Sequence, residues 1–465
     1  MAPTPASPAD HNRSQVLEVN PRSYMNPLLL LRVLLLLLLS DIIVSHSIIK
    51  SLPGFTGDLP FQLETGYIGV GESDEVQLFY YFFESERNPT DDPLILWIAG
   101  GPGCTALRAA FYENGPLMFN YANSSGNIPI LELNPYSWTK VANIIFIDQP
   151  AGCGFSYAKT WKAYESNDTI SAALNYDFLR KWLLDHPKFL KNPLYICGIS
   201  YIGMVIPIIV QDIYDGNEAG NEPPMNIKGY MLTNPLTDKH GDVNSRVRYA
   251  HHMSLLSDEL YEVTTYILPN CHGEYIEVDP NNGLCASDLQ LVDKVSKISS
   301  LVFIIYASHG YHYVTVWAND KTVQNALHIR EVPGTITEWV RCNTSIEYSF
   351  GESATVSYTF NVPSTVDYHR NLTNRDCRAL IASGDHDLVV PHLGTEKWIK
   401  SLNLTVESCW QPWFVEGQVA GYTVSYTHND YSLTYATVKA CHMGPEYKPK
   451  EFLAMIDRWF AYSPL

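Results

Sequence analysis

The chain has 465 residues, of which 46% are hydrophobic and 17% are charged, and its formal net charge is -18 at pH 7. Single cores rarely exceed ~250–300 residues, so this length predicts several domains or one large scaffold with an insertion. An acidic chain without a Lys/Arg-rich run argues against a nucleic-acid partner. The 12% of aromatic residues argue against a disordered chain.

An apolar stretch at residues 27–44 contains Arg32 and the pair Ser40-Asp41. A membrane-spanning helix needs ~20 mostly apolar residues, so a signal peptide is the favoured interpretation. A signal anchor, or a true start at Met25, is the alternative, because a long polar segment precedes the stretch. We predict an N-terminal extension over residues 1–46, entry into the secretory pathway, and an extracellular or vacuolar location without a stable membrane span.

Two further features agree with secretion. The chain beyond the apolar stretch has nine cysteines without a C-x-x-C pair, which favours disulfides over a zinc or redox motif. We therefore predict no metal site, and the odd number leaves at least one thiol free or paired outside the chain. Five N-x-[ST] glycosylation sites follow the stretch: Asn123, Asn167, Asn343, Asn371 and Asn403.

Short apolar runs bounded by Gly, Pro or Asn alternate with helical patterns, which is typical of an α/β protein with a mostly parallel sheet. The helical spacing of Leu174, Phe178 and Trp182 predicts a helix that ends at His186-Pro187. The other predicted elements are strands at 94–98, 143–147, 194–197 and 379–382, a hairpin of 422–426 with 433–438, and a final helix at 450–460.

The strand and helix rhythm weakens between residues 235 and 345, where cysteines, Asn-Gly and Pro occur. This predicts an insertion that caps the sheet. We expect one catalytic domain over residues 47–465, with helices on both faces of the sheet and the cap at roughly 235–345.

Residues 194–203 have the layout of a strand, a turn that carries Ser200, and a helix, by which α/β-hydrolases expose a nucleophile. The match to G-x-S-x-G is imperfect because Ile202 precedes Gly203, so an ordinary buried serine is the alternative at this point. Acidic residues and histidines follow two later strands, at 383–391 and 439–447, in the order that these hydrolases use. The turn at 100–104 (GGPGC) is a source of oxyanion donors, or alternatively a plain tight turn.

These blocks, together with NPYSW at 134–138 and DQP at 148–150, resemble the serine carboxypeptidase-like family from about residue 48 to the end. The opening runs at 49–55 and 64–69 resemble its plant acyltransferase branch. The resemblance implies an α/β-hydrolase fold in which Ser200 is the nucleophile, His442 the base and Asp387 its orienting carboxylate. It also assigns the oxyanion hole to the backbone N–H groups of Gly101 and Tyr201.

The resemblance implies the substrate site as well. Peptidase members hold the substrate carboxylate with an Asn, a Glu and a second Glu; here those positions are Ala99, Ile199 and Glu113, beside Gly100. Two polar partners are missing, and an ionised Glu113 would repel a carboxylate. We therefore expect acyl transfer from a 1-O-glucose ester to an alcohol acceptor without a cofactor. A carboxypeptidase and an impaired relative that acts as a binding protein are the alternatives.

Several departures from the family motivate the impaired alternative. Ile199 replaces the acyltransferase Asp, Ile202 replaces a small residue, Cys153 replaces a small hydroxyl residue, and the run that ends in Ala440-Cys441 is one residue short. The insertion is shortened, so a monomer is expected rather than a processed heterodimer. By resemblance, Cys104 pairs with Cys342; Cys271 with Cys285 is a further suggestion, although their usual partners are missing.

Overall fold

A computed structural model describes residues 46–124, 128–259, 261–262, 282, 311–331, 338–343 and 358–465. The chain from His46 to Leu465 forms one compact unit. The apolar stretch at 27–44 and the suggested pair Cys271 and Cys285 lie outside the described residues. Within the described ranges, no helix has the length and apolar character that crossing a membrane requires.

A single large sheet organises the described chain, in the order β1-β2-β3-β7-β4-β10-β11-β13-β16-β15-β14, with β8 paired to β3. The strands are β1 His46–Ile49, β2 Leu63–Val70, β3 Val76–Phe83, β4 Leu94–Ile98, β5 Leu117–Phe119, β6 Leu131–Leu133, β7 Asn143–Ile147, β8 Tyr157–Ala158, β9 Ser166–Asn167, β10 Leu194–Ile199, β11 Ile227–Thr233, β12 Tyr358–Thr359, β13 Arg378–Gly384, β14 Thr405–Val415, β15 Gln418–His428 and β16 Tyr431–Val438.

The centre of the sheet is parallel and its flanks are antiparallel. Parallel pairing joins β7, β4, β10, β11, β13 and β16 in turn, whereas β1 to β3 and the β14–β15–β16 hairpins are antiparallel. The carboxyl ends of β10, β13 and β16 therefore meet at one edge, where ligands bind in sheets of this kind.

The helices cover both faces of the sheet. They are α1 Ala106–Tyr112, α2 Asp168–Asp185, α3 Ile206–Glu218, α4 Lys239–His252, α5 His312–Asn319, α6 Lys321–Ala326, α7 Val366–Leu372, α8 His392–Ser401, α9 Gly444–Tyr447 and α10 Pro449–Phe460. Central strands are apolar on both sides because both faces are covered: Leu96 and Ile98 belong to one core, and Ile95 and Trp97 to the other. The α/β-hydrolase architecture predicted from the sequence is confirmed.

Local signals explain where the elements begin and end. The Asn167 side chain accepts a hydrogen bond from Ile170 N at 2.8 Å and caps α2, which ends at Asp185 before His186-Pro187 as predicted. In the predicted cap, α4 packs against α8. The α5 residue Trp317 is fully buried and donates to Pro53 O at 2.7 Å. The described part of the insertion thus shares the core of the catalytic domain.

Candidate active site

Ser200 lies in a tight turn between β10 and α3, and we call residues 198–203 the serine turn. Its φ of 68° is in the left-handed region, which a non-glycine residue adopts only at a cost. Two glycines permit the turn: a Cβ at Gly198 would lie 2.5 Å from Ile98 O, and one at Gly203 would lie 2.4 Å from Leu236 O. This sharp crossing holds the serine hydroxyl above the carboxyl ends of the strands.

Ile202, which the sequence identifies as a source of crowding, fits into the serine turn. Its side chain is buried in the core beside Gly198, where a Cβ would lie only 2.4 Å from Ile202 Cγ2. The absent side chain of Gly198 provides the room that the bulky Ile202 needs.

The structure brings the predicted trio together from three different strand ends. Ser200 Oγ lies 2.8 Å from His442 Nε2, and His442 Nδ1 lies 2.7 Å from Asp387 Oδ2. Asp387 Oδ1 accepts from the backbone N–H groups of Val389 and Val390, at 2.7 and 3.2 Å. Asp387 and His442 are both buried. The one-residue shortening before His442 does not prevent its ring from reaching Ser200.

This hydrogen-bond chain fixes the tautomer of the neutral imidazole. The Asp387 carboxylate accepts a hydrogen bond, so the proton of His442 resides on Nδ1. Nε2 then offers a lone pair to the hydroxyl proton of Ser200. Such an arrangement can remove that proton and stabilise the imidazolium that results.

Asn234, which directly follows β11, holds the loops that carry Asp387 and His442. Its Oδ1 accepts from Gly384 N at 2.6 Å, and its Nδ2 donates to the carbonyls of Cys441 and His442. Asn234 adopts φ 46° and is fully buried. The sequence analysis missed this positioning residue. The Asn-Pro pair after a strand signals a turn, but its partners are distant in sequence.

The glycine loop, residues 100–104, lies directly against the serine turn. A Cβ at Gly100 would lie 2.6 Å from Ile199 O and 3.0 Å from Tyr201 N, so only glycine permits this approach. Gly101 has φ 119°, another conformation that glycine tolerates. The predicted oxyanion donors, the N–H groups of Gly101 and Tyr201, therefore belong to adjacent segments. The predicted disulfide between Cys104 and Cys342 is confirmed, and it anchors the end of the loop.

Asp148, the first residue of the DQP block, holds the end of the glycine loop, a role that the sequence did not predict. Its Oδ1 accepts from Thr105 Oγ1 at 2.6 Å and from Ala106 N at 2.9 Å, at the start of α1. Its Oδ2 accepts from Phe155 N at 3.1 Å. Burial raises the pKa of Asp148 to about 6, and these hydrogen bonds oppose that rise.

Glu113 is paired with Arg108, which modifies the charge predicted from sequence. Arg108 donates to Glu113 Oε1, to Glu446 Oε2 and to Tyr311 Oη, at 2.7, 2.7 and 2.9 Å. Burial, followed by the charge of Glu446, raises the pKa of Glu113 to about 7, against the opposing effect of Arg108. Repulsion of a substrate carboxylate by an ionised Glu113 therefore stays a prediction, and the ion pair with Arg108 weakens that repulsion.

One oxygen of Glu113 is still available to a ligand, as an acceptor when the carboxyl is ionised and as a donor when that oxygen is protonated. Glu113 Oε2 is buried and has no hydrogen-bond partner among the residues that the structure describes. Ala99 and Ile199, the other two positions compared with the peptidases, are buried and apolar. The site therefore offers one carboxyl oxygen and two apolar contacts at these positions.

Arg341 is a second cationic side chain near the hydrogen bonds that Arg108 makes with Glu113 and Glu446. Its guanidinium stacks on Tyr311 at 4.4 Å, on the same ring that Arg108 contacts at 4.8 Å. Burial and the neighbouring Arg108 lower the pKa of Arg341. Within the described part of the chain, Arg341 makes no ion pair with a carboxylate.

The remaining predicted residues are distributed over the molecule. Asn123, Asn371 and Asn403 are exposed, whereas Asn167 and Asn343 are half-buried, so these sites stay predictions. Five described cysteines are free thiols: Cys153, Cys197 and Cys377, which are buried, Cys441, which is half-buried, and Cys409, which is exposed.

Comparisons with known proteins agree with this architecture. Residues 53–462 match the family model of the serine carboxypeptidases, Peptidase S10. The chain is 46% identical to serine carboxypeptidase-like 7 of Arabidopsis thaliana, over 95% of this chain and 99% of that relative. Serine carboxypeptidase-like 17 of the same plant is 45% identical, over 93% and 97%.

A solved structure shares the fold at lower identity. Kex1(delta)p, a prohormone-processing carboxypeptidase from Saccharomyces cerevisiae, superposes with a TM-score of 0.67 at 19% identity, over 86% of this chain and 91% of that one.

Proposed function

The chain belongs to the serine carboxypeptidase family, and from this premise we propose that it transfers an acyl group from a 1-O-glucose ester to an acceptor hydroxyl through an acyl-enzyme on Ser200. Family membership supports an enzyme of the serine-type hydrolase class. The acyl-transfer reaction, the residue roles and the substrates are the proposal.

The first half-reaction follows from the hydrogen-bond chain at Ser200. Ser200 Oγ attacks the ester carbonyl while its proton passes to His442 Nε2, and Asp387 stabilises the imidazolium. The N–H groups of Gly101 and Tyr201 stabilise the oxyanion, a contribution of ~3–4 kcal/mol per donor in related chemistry. The bond from the carbonyl carbon to the sugar oxygen then breaks, and His442 gives its proton to that oxygen as glucose leaves.

The second half-reaction uses the same groups in reverse. The acceptor hydroxyl gives its proton to His442 and attacks the acyl carbonyl, the ester bond to Ser200 breaks, and Ser200 Oγ recovers a proton from His442. The products are one acylated acceptor and free enzyme, so no metal or organic cofactor takes part. Water in place of the acceptor would give hydrolysis.

The observation that carries the choice of a glucose ester is the polarity around Ser200. A peptidase must bind a free carboxylate with donors, but Ala99 and Ile199 have no polar side-chain atoms. The unpartnered oxygen of Glu113, in either protonation state, suits a sugar hydroxyl, which both donates and accepts hydrogen bonds. The loss of two charged hydrogen bonds, each worth ~1.5–3 kcal/mol, would lower kcat/KM for a peptide by roughly 10²–10⁴.

A carboxypeptidase is the second candidate, and Arg341 is the observation that favours it. A half-buried guanidinium without a carboxylate partner among the described residues suits the terminal carboxylate of a peptide.

The third alternative, an impaired relative with a binding role, has less support, because Ile202 fits in the core and His442 reaches Ser200. The disulfide between Cys104 and Cys342 agrees with the proposed secretory, extracellular or vacuolar location.

We expect glucose release from a 1-O-acyl-glucose to exceed release of the last residue from a blocked dipeptide by at least ~10²-fold in kcat/KM, because Ala99 and Ile199 cannot bind the peptide carboxylate. The two rates are measured on the same enzyme preparation, with and without an alcohol acceptor. Faster dipeptide cleavage would contradict the proposal.

The variant Arg341→Gln provides an internal control for that comparison. If Arg341 serves a peptide carboxylate, the variant loses dipeptide cleavage and keeps glucose release. If the acyl-glucose is the substrate, residual dipeptide cleavage is low before and after the substitution.

A further inference from the structure

A compact group of metal-ligating side chains lies outside the active site. His46 in β1, Glu64 in β2 and His186 at the end of α2 place one ligating atom each within 4.8 Å of one another. His186 Nε2 lies 2.8 Å from Glu64 Oε1, and His46 Nε2 lies 3.9 Å from Glu64 Oε2. Glu64 and His186 are buried, and His46 is half-buried.

The hydrogen bonds of His186 leave its second nitrogen facing an acceptor. His186 Nδ1 lies 2.8 Å from Trp182 O, and a carbonyl only accepts, so Nδ1 carries a proton. In the neutral ring Nε2 is then a lone pair, and it faces Glu64 Oε1, which already accepts from Tyr80 Oη at 2.6 Å. A carboxylate and a neutral imidazole nitrogen in contact inside the protein require either a proton between them, on Nε2 or on the Glu64 carboxyl, or a metal ion bound to both.

The chemistry and supporting contacts of this group suit a metal ion. Two imidazole nitrogens and a carboxylate are ligands typical of Zn²⁺ and similar divalent ions. Around a tetrahedral ion with bonds of ~2.0–2.2 Å, ligand atoms lie ~3.3–3.6 Å apart. Binding would therefore move His186 Nε2 and Glu64 Oε1 apart from 2.8 Å and bring His46 Nε2 closer to Glu64 Oε2 from 3.9 Å. His186 hydrogen-bonds to Trp182 O, and Tyr80 donates a hydrogen bond to Glu64. Hydrogen bonds of this kind to the ligand side chains orient the ligands of a metal ion.

We propose that His46, Glu64 and His186 bind one divalent transition-metal ion of the zinc class, with a water ligand, and that this ion ties β1 to α2. His186 precedes the amino end of β10, whereas Ser200, Asp387 and His442 lie at carboxyl ends of strands. The metal site is therefore at the opposite edge of the sheet from the active site. Its role is structural. The four-residue strand β1 lies at the edge of the described sheet beside β2, and the metal ion would link this strand to the end of α2.

This proposal departs from the prediction of no metal, which was made from the absence of a C-x-x-C pair; the members of the group are far apart in sequence. His186 and Glu64 are separated by 122 residues. A local motif search does not detect ligands that only the sheet and the end of α2 bring together.

The test uses the full chain after any processing in a secretory host, because the site requires a mature chain that keeps His46, whereas the sequence predicts an N-terminal extension up to residue 46. The protein is stripped with a chelator and titrated with Zn²⁺ or Co²⁺. The matched variants are His46→Gln, at the half-buried ligand, and His428→Gln, at an exposed histidine of the β15–β16 turn. We expect one equivalent of metal, a visible tetrahedral Co²⁺ spectrum and a higher Tm with Zn²⁺ for wild type and His428→Gln. His46→Gln should bind at least ~10–100-fold more weakly while its far-ultraviolet circular dichroism is unchanged.

Three results would overturn the site. The first is the absence of stoichiometric binding to the wild type, which leaves a proton between His186 and Glu64. The second is equal binding by His46→Gln and the wild type. The third is an intact mass showing that the mature chain lacks His46. Labelling of Ser200 by an active-site reagent should be the same in all variants, which separates this test from that of the proposed function.

Discussion

Replacement of Ser200 by alanine should abolish covalent labelling by a fluorophosphonate and lower acyl-transfer activity by roughly 10⁴–10⁶-fold. Alanine has no hydroxyl for His442 to deprotonate, so no acyl-enzyme forms. The substitution removes one atom and leaves the backbone of the serine turn in place. Labelling is measured by intact mass, and activity by glucose release.

Ser254 provides a matched control for this experiment. It is an exposed serine that also has a positive φ, of 57°, so Ser254→Ala makes the same chemical change in a similar backbone conformation. That variant should label at the wild-type rate. Failure of the folded wild-type protein to label would contradict both enzyme hypotheses and favour the binding-protein alternative.

Asp387→Asn should reduce the labelling rate by roughly 10⁴-fold while the protein stays folded. The N–H groups of Val389 and Val390 fix the Oδ1 position as an acceptor, so the amide oxygen takes that place. The amide NH₂ then faces His442 Nδ1 and donates to it. The ring must carry its proton on Nε2, where it cannot accept the proton of Ser200.

Asp385→Asn is the control for Asp387→Asn. Asp385 is two residues away and contacts His386 and Lys439 at the protein surface, not His442. Its substitution should change the labelling rate less than about threefold, because a surface ion pair contributes little. Equal effects of the two variants would show that a general loosening of the loop, and not the tautomer of His442, governs the rate.

Much of the fold was predictable from local signals. Apolar runs that end in glycine or proline indicated the central strands, and the spacing of Phe178 and Trp182 indicated α2. The segments that carry Ser200, Asp387 and His442 were identifiable because each follows such a strand, and parallel strands bring their carboxyl ends to one edge. The choice of these three residues within the segments required the family resemblance. The pairing of Cys104 with Cys342 required the family resemblance, since the two residues are 238 positions apart.

The missed residues share a physical cause: their function depends on partners that the sequence does not place. Arg108 lies in a short apolar helix, and only the tertiary structure shows that it faces Glu113 and Glu446. Asn234 follows a strand like many turn residues, but its hydrogen bonds reach two other loops. Such contacts depend on how the elements pack, whereas sequence patterns report their period and their ends.

The charge of the site illustrates this difference. From sequence alone, Glu113 was a lone carboxylate that would repel a peptide terminus. In the structure Arg108 pairs with that carboxylate, and the support for a sugar ester comes from the apolar Ala99 and Ile199 and from Glu113 Oε2, which has no partner among the described residues. The nearby Arg341 gives the peptidase alternative a specific candidate for binding the peptide carboxylate. The comparison of dipeptide cleavage with glucose release decides between the two alternatives.

The most direct test of the proposed acyl-enzyme is a rapid-quench reaction with a 1-O-acyl-glucose in the absence of acceptor, followed by mass analysis of the peptide that contains Ser200. We expect a burst of glucose that equals the enzyme concentration, together with a peptide heavier by one acyl group. Added alcohol acceptor should discharge that acyl group as an ester. Glucose release without acylation of the Ser200 peptide, or dipeptide cleavage without glucose release, would contradict the proposed function.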